Sequence, residues 1–188
     1  AAAQSVINKA DVARIGLIGA LAGMAPDMDV LIQSSTDPLL QLEYHRQFTH
    51  SLAFIPIGAL VCAIAFWPFV RHHMSFKAIW LTSLAGYATH GLLDACTTYG
   101  TLLLWPFSDA RIAWNTISVV DPLFTLPLLG LVIAAGVKKS QLMGRLGVAW
   151  VTFYLLIGFI QEERALAAGE ALAAQRGHAP AVVSAKPS

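Results

Sequence analysis

Three short segments carry residue types that bind divalent cations. Pro26-Asp27-Met28-Asp29 offers two carboxylates at i and i+2 where an apolar stretch ends. In an extended or turn segment both can approach one ion, together with a backbone carbonyl. His45-Arg46-Gln47-Phe48-Thr49-His50-Ser51 lies directly before the most apolar run of the chain. There Thr49 is the expected helix cap, His50 falls in the first turn and His45 stays in the loop before it. Ala88-Thr89-His90-Gly91-Leu92-Leu93-Asp94 sets His90 and Asp94 four residues apart, on one helical face, inside an apolar run where an ionisable group is costly and rarely idle. The pair can share one ion, or Asp94 can orient the His90 imidazole from behind.

Each segment alone has an ordinary explanation: a stop signal with a capping aspartate, interfacial His and Arg, or a buried His–Asp bond between two helices. Together, Asp27, Asp29, His45, His50, His90 and Asp94 form a nitrogen and carboxylate set suited to zinc first, or manganese or iron, with one or two ions per chain. Such an ion acidifies water and clamps attacking and leaving oxygens, which is what hydrolysis of an ester or phosphoester needs. Arg46 and Arg111 are the candidate catalytic cations, planar donors that can hold an anionic headgroup. The loop after Asp94 adds Thr97-Thr98-Tyr99-Gly100, with Trp105 and Trp114 as interfacial anchors. Asp121 before Pro122 reads as a cap, and His72, His73 and His178 read as surface.

These residues must be held by membrane helices. Of 188 residues, 56% are hydrophobic and 12% charged, with a mean hydropathy of +0.63, more apolar surface than one water-soluble domain hides. Four runs approach the length of a span: Ser51 to Val70, Ala78 to Leu93, Pro122 to Val137 and Leu146 to Ile160. Ala13 to Ala25 is shorter, and its Gly16, Gly19 and Gly23 share a face on which another helix can pack closely. The expected fold is therefore an all-α integral membrane bundle of about four full spans plus a shorter N-terminal helix. Residues 1–160 would form the membrane domain and 161–188 a helical extension and tail, stopped by Gly177 and Pro180.

Placing Lys9 and Arg14 in the cytoplasm puts Arg71, Lys77, Lys138, Lys139 and Arg145 there too, and sends the loops 26–50 and 94–121 outside. Every acidic residue except Asp11 then falls outside, which a cation site on that face would explain. A net charge of +1 with scattered basic residues excludes a nucleic-acid surface. Cys62 and Cys96, the two cysteines, support neither a disulfide framework nor a thiolate cage. The opening residues lack the layout of a secretory signal, and no internal repeat suggests a transporter built from inverted halves.

In this order and spacing, PDMDVLI, HRQFTHSL, THGLLDACTTYGTLLLWPFSD and RIAWNTISVVDPLFTLPLL resemble the membrane-bound metal-dependent hydrolases of the YdjM-like type, from about Ala13 to Gly158. The resemblance implies a multi-pass bacterial inner-membrane enzyme with the six metal positions named above and an unassigned substrate; location alone favours one that is lipid-linked or membrane-proximal. Two departures suggest a trimmed chain: no D-x-L-T-[HQ] segment precedes Ala1, and the end at Ser188 is abrupt. Two other classes fit the same ligands, an ion transporter and a scaffold with a structural metal. Oligomeric state is open.

Overall fold

A computed structural model of the chain describes residues 1–5, 12–178 and 182–187; Lys9, Asp11, Pro180 and Ser188 lie outside them. Among the described residues the fold is all-helical, as expected. One isolated antiparallel bridge, Thr101 to Ile112, stands in place of any strand. In chain order the helices are α1 (Val12–Met24), α2 (Leu40–Tyr44), α3 (Ile55–Val70), α4 (Phe76–Ala95), α5 (Pro122–Val137) and α6 (Gln141–Gln175).

Helix α1 stops where Pro26, which has no N–H to offer, opens a tighter 3-10 segment over Ala25–Leu31. The glycine face of α1 packs as its spacing predicts. A Cβ on Gly86 of α4 would collide with the Gly19 carbonyl, and one on Gly23 would stand 3.3 Å from the Gly86 carbonyl oxygen. Backbone touches backbone, so α1 and α4 form a rigid pair. Ile15, Ile18, Ala63 and Ile79 fill the space between α1, α3 and α4, and Ala22, Ala59, Cys62 and Tyr87 continue that core toward one end. A separate cluster of Cys96, Ile117 and Phe124 is covered by Val151, Tyr154 and Leu155 of α6.

Helix α4 starts on Ser75, whose hydroxyl accepts from the Ala78 amide. Asp121 caps α5 through Oδ1, which accepts from the Phe124 amide at 3.1 Å, while Oδ2 accepts from the Tyr154 hydroxyl at 2.8 Å. Helix α6 runs unbroken past residue 160 and is capped at Arg176, just before Gly177 in the left-handed region (φ +70°).

The spans are shorter than the sequence suggests. Among the described residues only α6 is both long and apolar enough to cross a membrane, with 11% of its apolar window buried. Helices α3 and α5 have 16 residues each, a rise of about 24 Å against a hydrocarbon core of about 30 Å. Helix α3 begins at Ile55, not Ser51, because the chain before it turns through 88°. Counting that bent lead-in with α3 would give a second crossing. Helix α4 has 20 residues but is interrupted by Thr82, Ser83, Thr89, His90 and Asp94. Large apolar side chains nonetheless point outward on α3 (Val61, Ile64, Phe69), α5 (Leu123, Leu126, Ile133) and α6 (Leu142, Phe153, Leu156). Such outward apolar side chains are what a lipid solvent accommodates.

Candidate metal centre

Asp27 and Asp29 sit on the 3-10 segment after α1, where two residues of separation turn side chains about 120° apart. They therefore do not face one point side by side, and they grip the same imidazole from its two nitrogens. Asp27 Oδ1 lies 3.4 Å from His50 Nε2, and Asp29 Oδ2 lies 3.3 Å from His50 Nδ1. His50 closes a second 3-10 turn, Phe48–His50, and is 1% exposed. Its backbone is pressed against α4 at Gly91, where a side chain would strike the His50 carbonyl. One turn earlier on α4, the Tyr87 hydroxyl donates to the Thr49 carbonyl at 2.9 Å. Glycine and tyrosine on one face of α4 thus fix the height of His50 beside His90 and Asp94.

Four side chains converge. One donor atom each from Asp27, His50, His90 and Asp94 lie within 4.8 Å of one another. His90 Nε2 is 3.1 Å from His50 Nε2, 3.1 Å from Asp27 Oδ1 and 3.5 Å from Asp94 Oδ2. His50 Nε2 is 3.2 Å from Asp94 Oδ2. A tetrahedral ion with bonds of about 2.0–2.1 Å holds neighbouring donors roughly 3.3–3.4 Å apart, close to the 3.1–3.5 Å that separate the two imidazoles from each other and from both carboxylates. Two imidazole nitrogens facing each other gain little without a cation or shared proton between them. Asp94 Oδ2 is buried and receives no directed hydrogen bond, although His50, His90 and Arg46 all approach it. Its compensation is ionic, from Arg46 at 3.3 Å and the two imidazoles, and a bound cation would add the directed partner it lacks.

The six-donor expectation narrows here. The Asp29 carboxylate is buried and already occupied: Oδ2 accepts from the Thr49 hydroxyl at 2.9 Å and the Arg46 amide at 3.0 Å, and Oδ1 pairs with His45 Nδ1 at 2.8 Å. His45 thus pairs with Asp29, and among the described residues Asp27, His50, His90 and Asp94 are the four donors that meet at one point. Thr49 does not cap α3, which begins after Phe54 with no side-chain cap. Its hydroxyl instead joins Asp29 to His50 Nδ1 at 3.0 Å. A carboxylate and hydroxyl behind a histidine fix which nitrogen faces the ion. The adjacency of Thr49 to His50 was the sequence signal for this; its partner Asp29 was not predictable from spacing.

The profile of the YdjM inner membrane protein family matches residues 1–165. The chain belongs to the YdjM inner membrane protein family. It is 31% identical over 151 residues to the inner membrane protein YbcI of Escherichia coli, covering 78% of this chain and 83% of YbcI. It is 26% identical over 142 residues to the uncharacterized protein YfhP of Bacillus subtilis, covering 75% of this chain and 41% of YfhP. The chain therefore spans less than half the length of YfhP. No solved structure matches it. The family places the chain in the inner membrane, in keeping with its lipid-facing surface.

In this YdjM-family chain the two candidate arginines part company. Arg46, at φ +61°, swings its side chain inward: Nε is 3.3 Å from Asp94 Oδ2 and one terminal nitrogen donates to Thr97 Oγ1 at 3.0 Å, with the Tyr99 ring alongside. Arg111 stays outside the cluster, its guanidinium 3.5 Å from the carbonyls of Gly100, Leu42 and His45. It ties the 96–121 loop to the His45 segment, as do the backbone bonds Leu102 to Arg46 and Leu52 to Leu103. Trp105 rests on the Phe48 ring, and Trp114, itself exposed, lies beside Phe159.

The cluster concentrates negative potential. Hydrogen bonds from His50 and His90 hold the Asp27 carboxyl far below the usual carboxylate range. For Asp29, burial alone would raise the pKa, but His50, His45, the Arg46 amide and Thr49 bring it down to about 2. Burial would lower His50, yet the carboxylates of Asp27, Asp29 and Asp94 lift it to about 10. Without metal, the His50 proton is a counter-charge beside the Arg46 guanidinium. Its stabilisation is complete below its ordinary pKa of 6.5 and is lost as pH rises through about 10. A metal must displace that proton, so its affinity rises over the same interval. Metal-free protein is therefore expected to melt at a lower temperature at about pH 9 than at about pH 6, while the stabilisation gained from added zinc increases. Thermal unfolding in detergent at both pH values checks this; the opposite sign would contradict the assignment.

Proposed function

We propose that this chain is a multi-pass inner-membrane hydrolase that uses one divalent metal ion, zinc first, held by Asp27, His50, His90 and Asp94 at the periplasmic face. The observation that carries the reading is the convergence of one donor atom each from Asp27, His50, His90 and Asp94 within 4.8 Å of one another, with both imidazoles 3.1 to 3.5 Å from the carboxylates and from each other. Access supports catalysis: the Asp27 side chain is 50% exposed and His90 19%, whereas His50 is enclosed. The sorting of basic residues to the opposite loops supports the periplasmic side. The outward apolar faces of α3 and α5 support further crossings beside α6.

A divalent ion there would make a water acidic enough to attack near neutral pH and would polarise an ester or phosphoester oxygen. The chain does the rest. Asp29 and Thr49 orient His50, and Asp94 is shared between the cluster and Arg46. The remaining guanidinium N–H groups of Arg46 are placed to take an anionic oxygen as charge develops on it. Replacing Arg46 with Ala is expected to lower kcat/KM by about 10²-fold with metal content retained, and Arg46→Lys to restore part of it. The assay uses metal-loaded protein with chromogenic carboxyl esters, phosphomonoesters and phosphodiesters. Folded, loaded protein that turns over none of the three would overturn the hydrolase reading.

One observation favours a second reading. Four protein donors close a tetrahedron, and closed sites are usually structural. A structural ion predicts that metal removal lowers the unfolding temperature while no ester is ever hydrolysed. The hydrolase reading requires the exposed Asp27 to leave room for water. A transport site would be expected near the membrane midplane, whereas these donors gather where α1 and α4 end.

A further inference from the structure

Phe107 is 88% exposed, more than any other aromatic side chain among the described residues. It closes a tight turn in which the Phe107 amide donates to the Leu104 carbonyl at 2.8 Å and the Ser108 amide donates to the same oxygen at 3.2 Å. The base of the turn is fixed. Leu102 and Leu103 are buried, and Trp105, half-buried, lies against the Phe48 ring. From this base Leu104, Pro106 and Phe107 point into the open, and polar residues follow at once with Ser108 and the exposed Asp109.

Where the turn is attached says what covers it. The Leu52 amide donates to the Leu103 carbonyl at 2.9 Å, so the turn stands at the entry to α3. Leu52 is itself exposed, and from there α3 presents Ile57, Val61 and Ile64 outward, four and three residues apart on one face. In an inner-membrane protein such a face meets lipid. With 16 residues α3 rises about 24 Å, about 6 Å short of the hydrocarbon core, and a short span is made up by the residues that flank it. An apolar turn at the helix entry is such a flank. Trp105 has the amphipathic ring that settles at the headgroup level, and Asp109 limits how deep the turn can go.

We propose that the 104–107 turn dips into the leaflet at the metal-bearing end of the bundle, with Phe107 below the headgroups and Asp109 in water. The turn is also part of the frame that holds the centre. The Leu102 amide donates to the Arg46 carbonyl at 3.0 Å, and Phe48, under Trp105, opens the 3-10 turn that His50 closes. Anchoring the turn therefore sets the height of His50 against the bilayer and keeps the four donors close to the headgroup layer. One consequence rests on the hydrolase reading: the substrate is an amphiphile whose ester or phosphoester lies in that layer. The bilayer contact itself stands on the turn.

The test is the depth of a nitroxide attached at Phe107→Cys in the full chain, reconstituted into vesicles of phosphatidylcholine and phosphatidylglycerol. Depth is read from collisions with oxygen, which concentrates among acyl chains, and with a neutral nickel chelate, which stays in water. Asp109→Cys is the water reference and Val61→Cys the lipid reference; the unsubstituted protein, whose Cys62 and Cys96 are buried, gives the background. Oxygen collisions at position 107 are expected to exceed nickel collisions several-fold, as at position 61, with the reverse at position 109. Leu104→Cys gives a second reading should Phe107→Cys fail to fold, and helix content by circular dichroism reports that each variant is intact. Nickel collisions at 107 as frequent as at 109 would put the turn in water and overturn the proposal. Exclusion of both reagents would overturn it equally, because a second copy or another protein would then cover the turn. The readout needs no turnover, so an inserted turn in a protein that hydrolyses nothing removes only the hydrolase reading. Hydrolysis by a protein whose turn lies in water removes only the insertion.

Discussion

Replacing His50 with alanine is expected to reduce bound zinc at least tenfold and to abolish metal-dependent hydrolysis. His50 is the hub of the cluster: its Nε2 stands between Asp27, His90 and Asp94, and its Nδ1 faces Asp29 and Thr49. Loss of a donor lowers affinity, and the smaller side chain also leaves the Asp27, Asp29 and Asp94 carboxylates with one fewer counter-charge, so the metal-free variant should be less stable too. His50→Gln keeps most of the volume and separates the effects. It should lose metal like the alanine variant while retaining more of the unfolding temperature. Zinc bound at wild-type affinity by a folded His50→Ala protein would show that the ion, if any, sits elsewhere.

Asp29→Ala should damage both stability and metal binding, although Asp29 does not reach the point where the four donors meet. Its carboxylate is fully buried and joins the Arg46 amide, the Thr49 hydroxyl and two imidazoles in a single knot. Removing one member of a buried charged pair costs about 3–5 kcal/mol because its partners are left unpaired. The loss of a carboxylate behind a metal-binding histidine lowers affinity by about 10- to 100-fold. Asp29→Asn retains the shape and one acceptor and should fall between. If Asp29 were itself a metal donor, Asn would bind metal as poorly as Ala. Isothermal titration with zinc, beside thermal unfolding, distinguishes the two roles: a graded series supports a positioning carboxylate, and an abrupt equal loss contradicts it.

Much of this centre is legible in the sequence because helical periodicity reports it. His90 and Asp94 share a face whatever the rest of the chain does, and Gly19 with Gly86 allow α1 and α4 to touch. Residue type alone marks Asp27 and His50. What the sequence does not disclose is the local geometry between elements. The i, i+2 carboxylates look like one chelating pair until the 3-10 turn after Pro26 rotates Asp29 away toward His45 and Thr49. His45 resembles His50 in composition and neighbourhood, and only the turn over Phe48–His50 puts one inside the cluster and the other outside it. The helix bounds differ from the apolar runs for a related reason. Ser51 to Phe54 is apolar enough to belong to α3, but the Ser51 hydroxyl bonds back to the Phe48 carbonyl and receives the Phe54 amide, so the chain turns before the helix begins.

The central claim is that one metal ion is held by Asp27, His50, His90 and Asp94. Elemental analysis of the detergent-purified protein after reconstitution with zinc tests it most directly, beside a His90→Ala, Asp94→Ala double variant and His45→Ala. One equivalent per chain in the parent and in His45→Ala, with none in the double variant, is the predicted result. No metal in a folded, reconstituted parent, or a full equivalent in the double variant, would contradict it and leave the cluster as a hydrogen-bonded device for packing α1 against α4.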